Sequence, residues 1–178
     1  MIDHLGHVVQ INVSNGGVPK RPVAGGAARI TRDGVVGDRQ EDTKHHGGPD
    51  RAVCLFSLEV IERLRAEGHP IAPGTVGENL TIRGIDWSLV KPGASLAFEG
   101  GVVLGVTSYT TPCSTIRASF ADSDSRRIKQ ELHPGESRVY TRVIREGVVR
   151  TGEVVRLTID QVPSQPRLLD DRPAEARP

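Results

Sequence analysis

Residues 90–108, VKPGASLAFEGGVVLGVTS, decide the predicted fold of this chain. Two apolar runs, Ala94 to Phe98 and Val102 to Ser108, flank the turn Glu99-Gly100-Gly101. Apolar alternation on both sides of a glycine turn is typical of a β-hairpin. Because Gly93 comes just before the first run, the chain can turn sharply into that strand. The stretch therefore predicts a hairpin that starts at a corner of a bent sheet.

A second stretch repeats the pattern of this strand entry. Val149 to Leu157 matches V-x-x-G-x-x-[LV]-x-[FL], with Gly152 at the position of Gly93. Other short runs have β-type composition and are separated by glycines; they are Gly6 to Val13, Ala28 to Thr31, Ala52 to Phe56, Asn79 to Ile82, and a closing pair at Arg138 to Arg145 and Glu153 to Ile159. This organisation predicts a mainly β fold that closes into a barrel.

Two segments change to a helical period. Ser57 can cap a helix with apolar residues Leu58, Ile61 and Leu64 on one face, which Gly68 ends. A more polar helix is predicted from about Ser123 to Leu132, stopped by Pro134. The fold is therefore predicted to carry a few peripheral helices.

The bulk properties suit one soluble domain. With 178 residues, we expect a single domain over residues 1–160 and a polar, disordered tail over 161–178. A net charge of +1 gives no sign of nucleic-acid binding, and the lack of an 18-residue apolar run predicts no membrane span. Two cysteines are too few for a disulfide scaffold, which favours the reducing cytoplasm.

Two basic, glycine-rich segments are candidates for anion binding. Asn15 to Arg21 contains Gly16-Gly17 and Lys20, so its backbone N–H groups and its charge could hold an anion; a flexible, solvated loop is the alternative. His45-His46-Gly47-Gly48-Pro49-Asp50-Arg51 brings two imidazoles close to an arginine. Zinc is disfavoured there because the cysteines are isolated and no C-x-x-C occurs. A tight turn with a histidine bonded to backbone is the plainer interpretation.

Two further segments carry polar or nucleophilic groups. Gly74 to Leu80 places Asn79 at a strand start, where it could bind a ligand or tie down a loop. Thr110 to Thr115 places Cys113 after a strand and a proline, where its thiol could react or bind a soft metal, or simply pack. Cys54 lies inside the apolar run AVCLF and is predicted to be an inert core residue.

Taken in order, these segments resemble the MOSC domain family, named after the C-terminal domain of molybdenum cofactor sulfurase, and in particular its bacterial YiiM-like branch. The resemblance rests on GGVPKRPV, GVVGDRQ, HHGGPDRAVCLFS, GTVGENLTIRGID, the PG-A-x-L strand entry and TSYTTPCSTI. It covers about residues 5 to 159 and implies a MOSC-type β-barrel.

The resemblance also implies a cofactor and a set of site residues. The cofactor is the molybdenum cofactor, a pterin dithiolene that bears a phosphate. Cys113 would be the molybdenum ligand or a persulfide sulfur carrier. The residues that would contact the cofactor or the substrate are Gly17, Lys20, His45, His46, Arg51, Asn79 and Thr111.

The expected function is reduction of an N-hydroxylated or N-oxygenated small molecule. Electrons must come from a separate protein, since the chain has neither an iron–sulfur cysteine cluster nor a G-x-G-x-x-G fingerprint. One alternative is a sulfur carrier that takes a persulfide on Cys113 from a sulfur-donor protein, and another is a cofactor-binding module without turnover. Pyridoxal phosphate, sometimes associated with the family, is disfavoured because no lysine has an obvious Schiff-base setting.

Overall fold

The computed structural model describes residues 4–39 and 48–159. Strands dominate it, at β1 His4–Val13, β2 Arg21–Pro22, β3 Ala27–Thr31, β4 Gly34–Val35, β5 Val53–Ser57, β6 Leu80–Arg83, β7 Ser95–Phe98, β8 Val103–Tyr109, β9 Val139–Arg145, β10 Gly147–Arg150 and β11 Val154–Thr158. The α-helix of the described residues is α1, Leu58–Ala66. Short 3-10 turns lie at Ala24–Gly26, Pro49–Arg51, Trp87–Leu89, Ser114–Ser119 and Ser125–Ile128.

Seven strands close into a barrel, which confirms the predicted fold class. Their order is β11-β7-β8-β9-β5-β6-β1, and β1 pairs with β11 to close the ring. Every neighbouring pair is antiparallel except β5 and β6, which are parallel. A parallel pair needs a crossover connection, and α1 forms it. A smaller sheet of β10, β3 and β4 lies outside the ring.

The predicted hairpin and the second stretch with the same strand entry lie side by side in the barrel wall. β7 pairs with β8 across the glycine turn, and β7 also pairs with β11, with Leu96 opposite Leu157. Gly93 and Gly152, which lead into β7 and β11, have φ values of +94° and +89°. Because L side chains rarely adopt such angles, both corners favour glycine.

The barrel interior is filled by branched apolar side chains. Leu55, Leu96, Leu104 and Val155 are 0% exposed. Their neighbours along β7, β8 and β11 are partly or fully exposed, whereas β5 is buried along its whole length.

The helix α1 buries Val60, Ile61 and Leu64. Ile61 and Leu64 were predicted on this face, whereas the predicted Leu58 is only partly buried and Val60 was not predicted. Ser57 caps the helix by accepting a hydrogen bond from Val60 N, at 3.3 Å.

The prediction of a second helix is wrong. Ser125–Ile128 forms one 3-10 turn in place of a helix from Ser123 to Leu132. Ser123 has a φ of +58°, outside the helical region, and Asp124 binds both the backbone N–H and the guanidinium of Arg126. Local side-chain bonds of this kind compete with helix formation.

The prediction that Arg138 to Arg145 and Glu153 to Ile159 form a closing pair is wrong. β9 pairs with β8 and β5, whereas β11 pairs with β7 and β1, so the two strands lie in different parts of the ring. The residues between them form β10, which pairs with β3 in the smaller sheet.

Among the described residues, no helix is long and apolar enough to span a membrane. The predicted tail over 161–178 lies outside the described residues.

Candidate functional site

A cavity of about 620 Å³ opens against three neighbouring strands of the ring, β8, β9 and β5, and against the loops that follow β1 and precede β6. Its rim is exposed and its floor is buried. The exposed rim includes Gly17, Arg39, Arg51, Thr111 and Thr115, and the buried floor includes Lys20, Cys54, Val76, Asn79, Ile116, Arg138 and Tyr140. Cys113, Val18, Gly77 and Tyr109 are partly exposed between them.

The structure brings most of the predicted site residues into this one cavity. They come from four separate parts of the sequence, which the fold brings together; they are Gly17 and Lys20, Arg51, Asn79, and Thr111 and Cys113. His45 and His46 lie outside the described residues, so their predicted contact with a ligand stays a prediction.

Lys20 is held by a partner that the sequence did not reveal. Its Nζ forms an ion pair with Oδ2 of Asp38, and the two side chains are 9% and 5% exposed. The Asn79 Nδ2 donates to the same oxygen at 2.8 Å, and the Ser14 N–H donates to Asp38 Oδ1 at 2.9 Å. A buried ion pair with this many hydrogen bonds is strongly oriented. Lys20 therefore adds little net positive charge to the cavity.

Asn79 joins this ion pair to the barrel wall. Its Oδ1 accepts a hydrogen bond from the backbone N–H of Cys54 at 3.0 Å, and its Nδ2 also lies 3.3 Å from the carbonyl oxygen of Asn12. With its amide oxygen and nitrogen both engaged, Asn79 fixes the loop before β6 against β5 and β1. Of the two uses the sequence left open, the structure supplies the contacts for tying down the loop.

The net positive charge of the cavity comes from three arginines. Arg39 and Arg51 lie at the rim, and Arg138 lies at the floor with 6% of its surface exposed. Arg51 places its guanidinium carbon 5.5 Å from the ring centre of Tyr140, in cation–π range. The turn that carries Arg51 is held to the barrel by an ion pair from Arg142 to Asp50, at 2.9 Å.

Arg138 is the site residue that sequence reasoning missed. It was assigned only to the start of a strand, where most arginines are exposed. Period-two alternation puts it on the same face as Tyr140, and both side chains line the cavity. That alternation is the signal that could have identified it.

The two cysteines differ in their surroundings. Cys113 is partly exposed, and its Sγ lies 2.8 Å from Oγ1 of Thr115. Cys54 is buried, as predicted, and burial raises the pKa of its thiol to about 11, although Arg138 and Lys20 act in the opposite direction. Cys54 also forms part of the cavity wall, which the sequence did not indicate. At neutral pH it is a protonated thiol, which is a poor nucleophile and metal ligand.

A family model of the MOSC domain matches residues 42–156, which cover five of the seven barrel strands completely and part of β11. The chain belongs to the MOSC domain family. Over 142 residues it is 31% identical to the uncharacterized protein YflK of Bacillus subtilis, covering 79% of this chain and 62% of YflK. Over 109 residues it is 29% identical to the protein YiiM of Escherichia coli, covering 59% of this chain and 48% of YiiM. The chain thus spans less than two thirds of the length of these relatives.

Solved structures agree with this assignment. YiiM from Geobacillus stearothermophilus superposes with a TM-score of 0.66 at 25% identity, covering 89% of this MOSC chain and 77% of that one. The YuaD protein from Bacillus subtilis superposes with a TM-score of 0.68 over 90% of this chain and 99% of that one. Its identity is 17%, so it shows the shared fold alone. The predicted family, its YiiM-like branch and the barrel are confirmed.

Proposed function

We propose that this MOSC chain binds the molybdenum cofactor in the cavity and reduces N-hydroxylated or N-oxygenated small molecules. The observation that carries the proposal is the composition of the cavity. A partly exposed thiol, Cys113, shares one space with three arginines, Arg39, Arg51 and Arg138. A soft thiolate suits a thiophilic metal, and arginines suit a phosphate. A single ligand that carries both a thiophilic metal and a phosphate would match this combination of a thiol and arginines.

The residues present fit such a group. A volume of about 620 Å³ lies within the range of small-molecule and cofactor sites. The buried Nε of Arg138 has no hydrogen-bond partner among the described residues, so a donor is free for a ligand oxygen. In the same part of the chain, no cluster of three or more His, Cys, Asp or Glu side chains could hold a metal. A metal here would thus rest on Cys113 as a protein ligand, with the cofactor's own sulfur atoms supplying others.

The side chains of the cavity would have different roles in binding the cofactor. Cys113 would hold the metal, and Arg39 and Arg51 would bind anionic oxygens of the cofactor at the rim. The Lys20–Asp38 pair, with Asn79, would keep the floor rigid. When bound, the cofactor supplies a metal centre that can pass electrons to a substrate N–O bond. His45 and His46 remain predicted to bind the cofactor or the substrate.

The reaction defines the partners that the proposal requires. Reduction of a hydroxylamine takes two electrons and two protons and releases the amine and water. The described residues hold two cysteines, one of them buried, so an iron–sulfur cluster has no ligand set there. A separate electron-donor protein is therefore proposed, in the reducing cytoplasm, together with a small-molecule substrate and without nucleic acid.

The test is turnover with a defined electron donor. The protein is purified from a host that makes the cofactor and is mixed with a reduced viologen dye and an aromatic hydroxylamine. The proposal expects dye oxidation that depends on the substrate, with formation of the amine. Cys113→Ser is expected to lose this activity. Cofactor-loaded protein with no turnover of any N-hydroxylated or N-oxygenated substrate would leave the non-catalytic binding module as the better description.

A sulfur carrier is the second candidate, favoured by the partial exposure of the Cys113 thiol beside the Thr115 hydroxyl. A persulfide forms when a thiolate accepts a sulfane sulfur, which adds about 32 Da to the chain. Intact mass after incubation with a cysteine desulfurase and cysteine measures this directly. An adduct that Cys113→Ser abolishes supports the carrier, and an unmodified mass counts against it.

A further inference from the structure

Arg138 is a buried cation without a bound counter-ion in the part of the chain that the structure describes. Its side chain lines the floor of the cavity, and the residue is 6% exposed. One guanidinium nitrogen, Nη1, donates to the carbonyl oxygen of Val76, while Nε has no partner among the described residues. Lys20 lies equally deep but is paired with Asp38. An ion pair therefore balances the charge of Lys20, whereas no ion pair among the described residues balances the charge of Arg138.

The buried acid Glu78 compensates the charge of Arg138 only in part. Glu78 is fully buried, and this burial raises the pKa of its carboxyl, although hydrogen bonds and the charge of Arg138 act to lower it. Its Oε1 accepts from the Gly74 N–H and the Thr81 hydroxyl, and Glu78 forms no ion pair with Arg138 among the described contacts. An uncompensated buried charge is costly, so the free protein keeps Arg138 at the floor at the expense of stability.

The space in front of Arg138 is kept open. Gly77 has a φ of +86°, and a Cβ built on it would lie 3.0 Å from Cγ1 of Val18 and 3.9 Å from Nη1 of Arg138. A larger residue would thus strain the backbone and press on Val18, which lines the cavity beside Arg138. A guanidinium that lines a cavity and has an unpartnered N–H is suited to a carboxylate or phosphate oxygen.

We infer that Arg138 is the specificity-determining residue at which the cavity recognises an oxyanion group of its ligand. The oxyanion is either the phosphate of the cofactor or an acidic group of the substrate. The inference rests on the proposed function for the identity of that ligand. Binding of a simple oxyanion by the cofactor-free chain does not depend on the proposed function.

The protein carries its own reporter for this site. Trp87 is the single tryptophan of the chain, and its Nε1 donates to the carbonyl oxygen of Ser137 at 2.7 Å. Ser137 directly precedes Arg138. An oxyanion that binds the Arg138 guanidinium is therefore expected to change the Trp87 fluorescence.

The experiment titrates the full-length, cofactor-free protein, made in a host that lacks cofactor synthesis, with inorganic phosphate. The wild type is expected to show a saturable change in Trp87 fluorescence and a higher unfolding temperature with phosphate. Arg138→Met is expected to bind phosphate at least about tenfold more weakly, because it loses the charged fork. Arg145→Gln, which removes one exposed charge from the same strand, is the matched control and should respond like the wild type.

Stability without phosphate separates a ligand site from a structural role. Arg138→Met is expected to unfold at the same temperature as the wild type or a higher one, because an uncompensated buried charge is removed. Arg138→Lys keeps the charge without the fork, so it should fold and bind phosphate more weakly than the wild type. Phosphate binding equal to that of the wild type in either variant overturns the inference. So does a lower unfolding temperature of both variants without phosphate.

A titration of the cofactor-loaded protein identifies the source of the oxyanion. Loss of the phosphate response after loading assigns Arg138 to the cofactor's phosphate, and a retained response assigns it to the substrate. A protein that binds phosphate through Arg138 but never takes up molybdenum keeps this inference and contradicts the proposed function. No phosphate response in either form contradicts the inference itself.

Discussion

At the residue scale, the cavity depends on polar side chains that bind one another before they bind a ligand. Lys20, Asp38 and Asn79 form one network, in which a single carboxylate oxygen accepts from both the ammonium and the amide. Lys20 and Asn79 were predicted to contact the ligand directly. Their geometry gives them a second role, since they hold the loops after β1 and before β6 at a fixed separation.

The first prediction concerns Asp38. Asp38→Asn keeps the shape of the side chain but leaves Lys20 as an unpaired buried charge, so we expect a loss of about 3 kcal/mol in the free energy of unfolding. Urea denaturation measures it. The control is the double variant with Lys20→Met, which removes both charges and should regain most of the loss. An Asp38→Asn protein as stable as the wild type would show that Lys20 does not need this partner.

The sequence indicated which short segments would meet at one cavity, but it did not indicate which side chains would pair there. Lys20, Arg51, Asn79 and Cys113 stand in glycine-rich or threonine-rich segments that are unusual by themselves. Asp38 lies 18 residues after Lys20 and follows β4 of the smaller sheet, so only the complete fold brings the two side chains together. A buried arginine such as Arg138 looks like an exposed one when only its neighbours in the sequence are known.

At the element scale, the connection from β8 to β9 carries Cys113 at one end and Arg138 at the other. It is held against α1 by Arg127, which binds Glu67 at 2.7 Å and also pairs with Glu136. Arg63 of α1 pairs with the same Glu136. These ion pairs fix the middle of the connection, so both of its ends keep their positions in the cavity wall.

The second prediction concerns the pH dependence of this attachment. A hydrogen bond from Arg127 lowers the pKa of Glu67, and although burial alone would raise the pKa of Glu136, Arg127 and Arg63 lower it. A carboxyl whose pKa is lowered by folding stabilises the protein above its ordinary pKa, and this stability is lost as the pH falls through the folded value. Arg127→Gln is therefore expected to cost about 1 kcal/mol near neutral pH.

The measurement is the free energy of unfolding of both proteins from about pH 7 down to about pH 3. The difference between them should shrink as Glu67 and Glu136 take up protons. Arg117→Gln is the control, because Arg117 is exposed on the same connection and forms no ion pair with α1 among the described residues. A difference that stays constant across this range would mean that Arg127 acts through packing and not through its charge.

The two predicted helices show why one element could be found from the sequence and the other could not. The α1 segment has its cap and its apolar spacing within the same few residues. The segment from Ser123 to Leu132 has a helix-like composition, yet Asp124 bonds locally and the chain turns at Ser123. Strand β10 was missed for another reason: its partner, β3, lies far away in the sequence.

At the scale of the whole molecule, the site exists because the ring closes. β1 carries the loop with Gly17 and Lys20 at one end, and it completes the barrel by pairing with β11, where Gly6 lies opposite Val155. A Cβ at Gly6 would lie 2.3 Å from the backbone oxygen of Arg83 and 2.7 Å from Cγ1 of Ile85. The barrel therefore closes only if this position has no side chain.

The third prediction follows from this contact. Gly6→Ala is expected to destabilise the protein by about 3 kcal/mol, since the added methyl meets backbone that cannot move without opening the ring. Gly93→Ala is the control: it has open space around it, so it should cost only about 1 kcal/mol, from its positive φ. Thermal unfolding of the two variants compares them. Equal losses would show that closure at Gly6 is not tightly constrained.

The central claim, that Cys113 and the arginines of the cavity hold the molybdenum cofactor, is tested most directly by metal content. The wild type, Cys113→Ser and Cys54→Ala are purified from a host that makes the cofactor, and molybdenum is measured per folded chain. We expect about one molybdenum atom per chain in the wild type and in Cys54→Ala, and almost none in Cys113→Ser, because the metal needs a thiolate ligand. Folded wild-type protein without molybdenum, or Cys113→Ser with the same content as the wild type, would contradict the claim.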